Sequence, residues 1–339
     1  MTRGVSALSA IYGRVATFRR AWYEGRPSSR RRLTTPAISV GNLVIGGSGK
    51  TPVVAAIARL LLQSGERPAI LSRGYARRDR SDGVVVVSDG TAIVADVAAS
   101  GDEPQMLARA LPAIPVVVSA DRYLAGRLAE TRFGATVMML DDAFQHVQLE
   151  RTVDLLVVAR EDLDERVLPS GRLREPLTAA RAADAVLVYG TADDARHVAA
   201  ALGVPASFTV TTTYGAVRSI GGTSASPEQR RVAAVAGIAR PGRFFGALRE
   251  QGYEVVRELT YRDHHWFTEA DIAAIVAAAR DAGVSLVITT EKDAVRLGNI
   301  DSAVRWAVLP MDVVIEPAAT FASWLTDRIR PGAREVQRR

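Results

Sequence analysis

Residues 37–51 read AISVGNLVIGGSGKT, and the order of residue types along them decides the fold. A short apolar strand, Ala37 to Val40, runs into a glycine-rich turn, and Lys50, Thr51 and Pro52 then open the helical run VVAAIARLLLQSG. Strand, loop and helix in this sequence make a phosphate cradle. Backbone N–H groups and the helix N-terminus hold phosphate oxygens, a lysine reaches the β- and γ-phosphates, and a threonine hydroxyl ligates magnesium. Val44, Ile45, Gly46, Gly47, Ser48, Gly49, Lys50 and Thr51 are the loop this reading assigns to nucleotide phosphates. The pattern G-x-x-x-x-G-K-[ST] places glycine at position 44, where this chain has Val44, with Gly46 and Gly47 inside the loop instead.

Downstream, apolar runs at Pro68–Ser72, Val84–Val87, Pro115–Ser119, Thr136–Leu140, Val153–Val158 and Ala185–Tyr189 alternate with helical stretches such as Glu103–Leu111 and Arg122–Thr131. Continuous apolar strands belong in a parallel sheet covered on both faces, which predicts a doubly wound domain of the P-loop NTPase kind. Function in such sheets collects just past the carboxyl ends of the strands. There stand Asp141-Asp142-Ala143-Phe144-Gln145-His146 after one strand and Arg73-Gly74-Tyr75 after another. An apolar strand ending in aspartate matches the element whose carboxylate holds magnesium, with Asp141 the first choice over Asp142. Tyr75 fits a turn with a structural hydroxyl equally well. Gly101-Asp102-Glu103-Pro104, read alone, is a capped helix start. The loop PSGRLREP at 169–176 carries two arginines that are either solvated or clamp an anion.

With 339 residues, 48% hydrophobic and 24% charged, the chain has material for two globular domains, and disorder is excluded. It has no cysteine, which excludes disulfides, thiol nucleophiles and thiolate-bound metals and fits a cytoplasmic setting. Net charge is +6, but residues 1–32 alone hold eight arginines against Glu24, a balance of +7, leaving the rest at −1. A near-neutral body argues against a nucleic-acid partner. In the basic segment, Val5, Leu8, Ile11, Tyr12, Val15, Phe18 and Trp22 recur at helical spacing. It is too short in apolar length to span a bilayer and predicts an amphipathic helix lying on an anionic membrane surface; a helix packed on its own domain has the same pattern. Of 43 basic residues only Lys50 and Lys292 are lysines, so each marks a place where a compact ammonium serves better than a planar fork.

Beyond residue 206 the pattern changes. SFTVTTTYGAVRSI at 207–220 alternates around Tyr214-Gly215 and predicts a two-stranded linker. A smaller α/β unit follows: strands at Arg231–Ile238, Val284–Thr289 and Trp306–Leu309, a helix at Arg243–Gln251, and another from a Thr268 cap through Ala279. The expected units are 1–32, 33–205, 206–222 and 223–332. Lys292 stands in TTEKD, as a nucleotide or interface contact or as a structural ion pair, and the absence of N-K-x-D disfavours a GTPase. His197, in a polar helical stretch, reads as surface.

Taken together, VGNLVIGGSGKTP, ILSRGY, GDEP, DDAFQH, PSGRLREP, AGIARPGRFF, DHHWF and TTEKDAVRL, in this order, resemble the tetraacyldisaccharide 4′-kinase family of lipid A synthesis. The resemblance implies transfer of the ATP γ-phosphoryl group, with Mg2+, to the 4′-hydroxyl of a tetraacylated glucosamine disaccharide 1-phosphate. It also implies a peripheral place on the cytoplasmic face of a bacterial inner membrane. By the same matching, Asp102 and His264, with Asp263 adjacent, activate the sugar hydroxyl, and Lys50 and Thr51 serve the phosphates. Asp141 and Asp142 serve the metal, and Tyr75, Glu103, Gln145, His146, Arg174 and Glu175 line the headgroup or nucleotide cleft. Ala143, Ser170 and Arg172 depart from the commoner residues of these strings. Another class of P-loop NTPase or metabolite kinase, whose basic helix binds a protein partner, is the competing reading.

Overall fold

In a computed structural model, residues 2–75, 77–79, 83–220, 229–297 and 304–330 are described. The chain begins with helix α1 (Thr2–Glu24) and continues β1 (Ala37–Gly41), α2 (Lys50–Gln63), β2 (Pro68–Ser72), β3 (Val84–Ser88), α3 (Val97–Ser100), α4 (Asp102–Ala110) and β4 (Val116–Ser119). Then come α5 (Arg122–Phe133), β5 (Val137–Asp141), β6 (Val153–Ala159), β7 (Ala185–Tyr189), α6 (Ala192–Leu202), β8 (Ser207–Tyr214) and β9 (Arg218–Ser219). The remainder is β10 (Arg231–Ala236), α7 (Pro241–Glu250), β11 (Glu254–Thr260), α8 (Glu269–Asp281), β12 (Leu286–Thr290), α9 (Glu291–Leu297), β13 (Arg305–Leu309), β14 (Met311–Glu316) and α10 (Ala318–Ile329).

Two sheets organise these elements. The larger has the order β14-β8-β7-β6-β1-β5-β2-β4-β3. Its strands from β8 to β4 run parallel, with antiparallel β14 and β3 at the edges. The central strands are mostly apolar and buried on both faces, with Ser39, Ser72 and Asp141 the buried polar residues among them. The smaller sheet, β11-β10-β12-β13-β9, is parallel except for β9 and is covered by α7 on one face and α8 on the other. Thr268 caps α8 through Asp271 as expected.

The expected two-stranded linker takes a different form. Residues 207–214 do not fold back on 216–220: β8 pairs with β14, and β9 pairs with β13 in the smaller sheet. The smaller unit is thus an insertion between two neighbouring strands of the larger one, and the C-terminal segment returns to the first domain. The expected C-terminal unit ending at 332 therefore stops before β14; its expected start at 222–223 lies outside the described residues. The physical reason is apolar burial. Phe321, Leu325 and Ile329 of α10 join the core beneath the large sheet, where Phe321 meets Phe208 edge to face at 4.9 Å. Removing that ring leaves a cavity no neighbour can fill, so Phe321→Ala is expected to cost about 3–5 kcal/mol, read from urea unfolding of the full chain.

Candidate active site

Strand order places three loops side by side. β5 lies between β1 and β2, with Val40 beside Asp141 and Leu71 beside Leu140, so the glycine-rich loop, Asp141-Asp142 and Arg73-Gly74-Tyr75 leave adjacent carboxyl ends. The chain therefore delivers phosphate donors, carboxylates and an arginine to one edge without any long-range adjustment.

Val44 has a structural reason. Its backbone bridges Leu173 in an antiparallel pair, its side chain is buried, and Asn42 Nδ2 donates to its carbonyl at 2.8 Å. Extended pairing at 44 makes no demand for a left-handed residue; that demand falls on Gly46 (φ 102°) and Gly49 (φ 75°). A side chain at Gly49 would also run into the ring of Tyr189, whose hydroxyl donates to the Gly49 carbonyl. Lys50 Nζ donates to Asn42 Oδ1 (3.1 Å) and Ser48 Oγ (3.2 Å) and lies 3.6 Å from Asp142 Oδ1.

The two aspartates are held differently. Arg174 Nη1 donates to both oxygens of Asp142 at 2.9 Å and to Gln145 Oε1 at 3.3 Å. Burial opposes ionisation of Asp142, but Lys50 and Arg174 outweigh it and hold its carboxyl below the usual range. Asp141 is buried with only Ser72 Oγ donating to Oδ2 (3.2 Å), and its Oδ1 has no partner. Burial and the charges of Glu103 and Asp142 push the Asp141 carboxyl up to about 7, against the pull of Lys50. An orphaned buried carboxylate oxygen at the strand end beside a P-loop fits a hard cation, which takes one or two protein carboxylates and completes its shell with phosphate and water.

The second cluster forms where the smaller unit meets α4. Asp102, 3% exposed, accepts from the Glu103 N–H at Oδ1 and faces His264 Nδ1 at 2.9 Å through Oδ2. Arg296 Nε lies 3.6 Å from the same oxygen. Lys292 Nζ lies 3.2 Å from His264 Nε2, 3.2 Å from Asp263 Oδ1 and 3.6 Å from Glu103 Oε1. Burial would raise the Asp102 carboxyl; the His264 hydrogen bond and the charges of Lys292 and Arg296 outweigh it, and the net shift is downward. Asp142 (φ 48°) and His264 (φ 60°) are the left-handed non-glycine residues among those described, one in each cluster. The clusters are electrostatic neighbours: Glu103, next in sequence to Asp102, and Lys50 both act on the Asp141 carboxyl. The small unit also approaches the phosphate loop itself: a side chain at Gly47 would come within 3.1 Å of Ala239.

Other expected residues fall nearby. The exposed Tyr75 ring packs edge-on to His264 at 5.7 Å between centroids. Gln145 donates to the Asn42 carbonyl at 3.0 Å. Glu175 is buried and its carboxylate is engaged by Arg20 of α1 at 2.7 Å, so it reaches the cleft only through Gln145. Arg20 also donates to the Phe144 carbonyl and lies 4.2 Å over the Phe144 ring. Glu175, expected among the lining residues, thus also seats α1 on the body. Ser170 takes part in the same seating through Ser9 Oγ at 2.7 Å, Arg172 pairs with Glu165, and Ala143 is core. Sequence reading missed Asn42, Arg122 and Arg296. Arg122 opens α5 and is buried close enough to Asp141, Asp142 and Arg73 to feel their charges; burial pulls its guanidinium down to about 10. An arginine directly after the capping Asp121, just past the carboxyl end of β4, was the available signal.

Fold and cleft together define a P-loop phosphotransferase. A family model described as tetraacyldisaccharide-1-P 4′-kinase, LpxK, matches residues 1–330. Tetraacyldisaccharide 4′-kinase of Geobacter metallireducens is 39% identical over 91% of this chain and 94% of its own length. That of Pelobacter propionicus is 38% identical over 95% and 90%. Among solved structures, the "apo" form of LpxK from Aquifex aeolicus in complex with ATP superposes with a TM-score of 0.78 at 29% identity, over 96% of this chain and 99% of the other. The chain belongs to the tetraacyldisaccharide-1-P 4′-kinase family and is a kinase. The competing assignment to another class of P-loop protein falls with that finding.

His146 offers a pH test. Burial, together with Arg122 and Arg151, pulls its imidazole down to about 4, so the unfolded chain takes up the proton first as pH falls below the usual value of 6.5. Stability from this group is present above that value and is lost as pH falls towards 4. The wild-type unfolding midpoint is expected to drop more steeply between pH 6.5 and 4.5 than that of His146→Gln.

Proposed function

We infer that this chain transfers the γ-phosphoryl group of ATP to the 4′-hydroxyl of a tetraacylated glucosamine disaccharide 1-phosphate, a lipid A precursor. The observation that carries it is the hydrogen-bonded Asp102–His264 pair standing next to Glu103, whose charge acts on Asp141 together with that of the glycine-rich loop's Lys50. A sugar hydroxyl is a poor nucleophile at neutral pH, and a carboxylate in reach takes its proton as the new O–P bond develops. Asp102 is the base in this reading, and His264 orients it. The γ-phosphorus then leaves the β,γ-bridging oxygen, and ADP carries away that oxygen's charge. Lys50 and the backbone N–H groups of residues 46–51 hold the phosphates in line, with Arg174 and Arg122 supplying further positive charge. Thr51 and Asp141 would hold Mg2+, with Asp142 beside them; the ion, when bound, neutralises phosphate oxygens during transfer. Most of the acceleration comes from this positioning and charge stabilisation.

The N-terminal helix supports a site on the cytoplasmic face of the inner membrane. Its polar side is the one docked on the body, through Ser9, Gly13 and Arg20, while its apolar residues point outward, from 37% exposed at Trp22 to 70% at Phe18. Among the described residues no helix is long and apolar enough to cross a membrane. An outward apolar stripe beside Arg14 and other cations suits a lipid surface, where each buried side chain contributes about 1.5–3 kcal/mol.

The deciding assay is incubation of the full chain with γ-labelled ATP, Mg2+ and the disaccharide 1-phosphate. Label at the 4′ position is expected; label elsewhere, or none, overturns the reading. Asp102→Ala is expected to lower kcat by about 100- to 10,000-fold and Lys50→Ala by at least as much; near-full turnover of a folded Asp102→Ala enzyme would reject the base. Replacing Leu8, Val15 and Phe18 by serine should release the protein from anionic vesicles in a sedimentation assay while leaving its thermal midpoint in place.

A further inference from the structure

We propose that Lys292 is a positioning residue of the phosphoryl-transfer site, and that its ammonium fixes His264 in the tautomer protonated at Nδ1. This rests on the reading of Asp102 as the base and adds the group that makes it one. An ammonium has three donors and no acceptor, so the 3.2 Å approach of Lys292 Nζ to His264 Nε2 requires a lone pair on Nε2. The imidazole proton then sits on Nδ1 and points at Asp102 Oδ2, 2.9 Å away. In this arrangement His264 has no free nitrogen with which to accept the hydroxyl proton, and Asp102 is left as the acceptor. The proton thus goes from the sugar oxygen to the Asp102 carboxylate, with His264 and Lys292 unchanged in protonation.

Lys292 is itself tightly placed. It opens α9 at the end of β12, its side chain is 17% exposed, and Asp263 and Glu103 flank it from the loop after β11 and from α4. The charged groups around Asp102 and His264 are these two carboxylates, Lys292 and Arg296, the last bound at 2.7 Å to Asp293. Arginine supplies nearly every other cation in this chain, yet a single tetrahedral ammonium is the shape that serves an imidazole nitrogen and two carboxylates at once. No described contact joins Lys292 to the phosphate loop, so its effect reaches the reaction through its bond to His264 and through its charge near Asp102.

The test is 15N NMR of histidine-labelled full-length protein at pH 8 in the absence of substrate, with His264→Gln used to assign the signal among four histidines. Wild type is expected to show a protonated Nδ1 and a bare, hydrogen-bonded Nε2. Lys292→Met is expected to lose that preference and to lower kcat about 10- to 100-fold with an unchanged KM for ATP, the order seen for groups that orient a reacting ligand. Lys292→Arg, which keeps a donor and the charge, is expected to restore the tautomer and part of the rate. An Nε2-protonated His264 in wild type, a Lys292→Met protein with the same tautomer, or one with kcat within twofold of wild type would each overturn the proposal. The tautomer is read without lipid or nucleotide, so its failure is separable from a failure of the substrate assignment.

Discussion

A carboxylate buried as deeply as Asp102 persists in ionised form only when other groups replace the water it has lost, and here every charged or imidazole partner arrives from the other folding unit. α4 of the larger unit presents the acid; the loop after β11 and helix α9 of the smaller unit present His264, Lys292 and Arg296. Ionised Asp102 and a docked small unit are therefore one condition. Separation would strand a desolvated charge on one side and a cluster of cations on the other.

The phosphate side obeys a different logic. Its parts are local: a strand end, a glycine-rich turn and a helix start, each dictated by residues within a few positions of one another. The parallel sheet then sets β5 between β1 and β2 and brings Asp141 to the loop without further specification. Ser72 and Asn42, both buried, give Asp141 and Lys50 hydrogen-bond partners and fix their directions.

That difference explains what could be read from the chain. The cradle at 44–51, strands β1 to β7 and the Thr268 cap follow from short-range patterns, and the boundaries of those strands lie within two residues of those expected. The pairing of β8 with β14 was hidden because the partners are separated by an entire sheet, and an alternating run around Tyr214-Gly215 imitates a hairpin. Val44 looked like a defect only because a motif counts residue types and ignores backbone state; an extended residue bridged to Leu173 needs no glycine. Glu175 was placed by string position near the cleft, but its partner Arg20 lies 155 residues away, on a helix whose amphipathic pattern does not reveal which side docks. The order of the strings pointed to the family; it did not say which atoms touch.

The insertion of the small unit between β8 and β14 also governs how the molecule is built. Met311 meets Tyr214 across 96 intervening residues, so on the ribosome the outer edge of the large sheet stays open until the inserted unit and then β14 have emerged. Closing so long a span is inexpensive, since each doubling of a loop adds only about 0.6 kcal/mol. The inserted unit has apolar cores of its own on both faces of its sheet, which lets it condense while the first domain still waits for its last strand and helix. β14 and α10 act as the clasp that closes the large sheet, and a chain made without them leaves β8 as an open edge ready to pair with its neighbours.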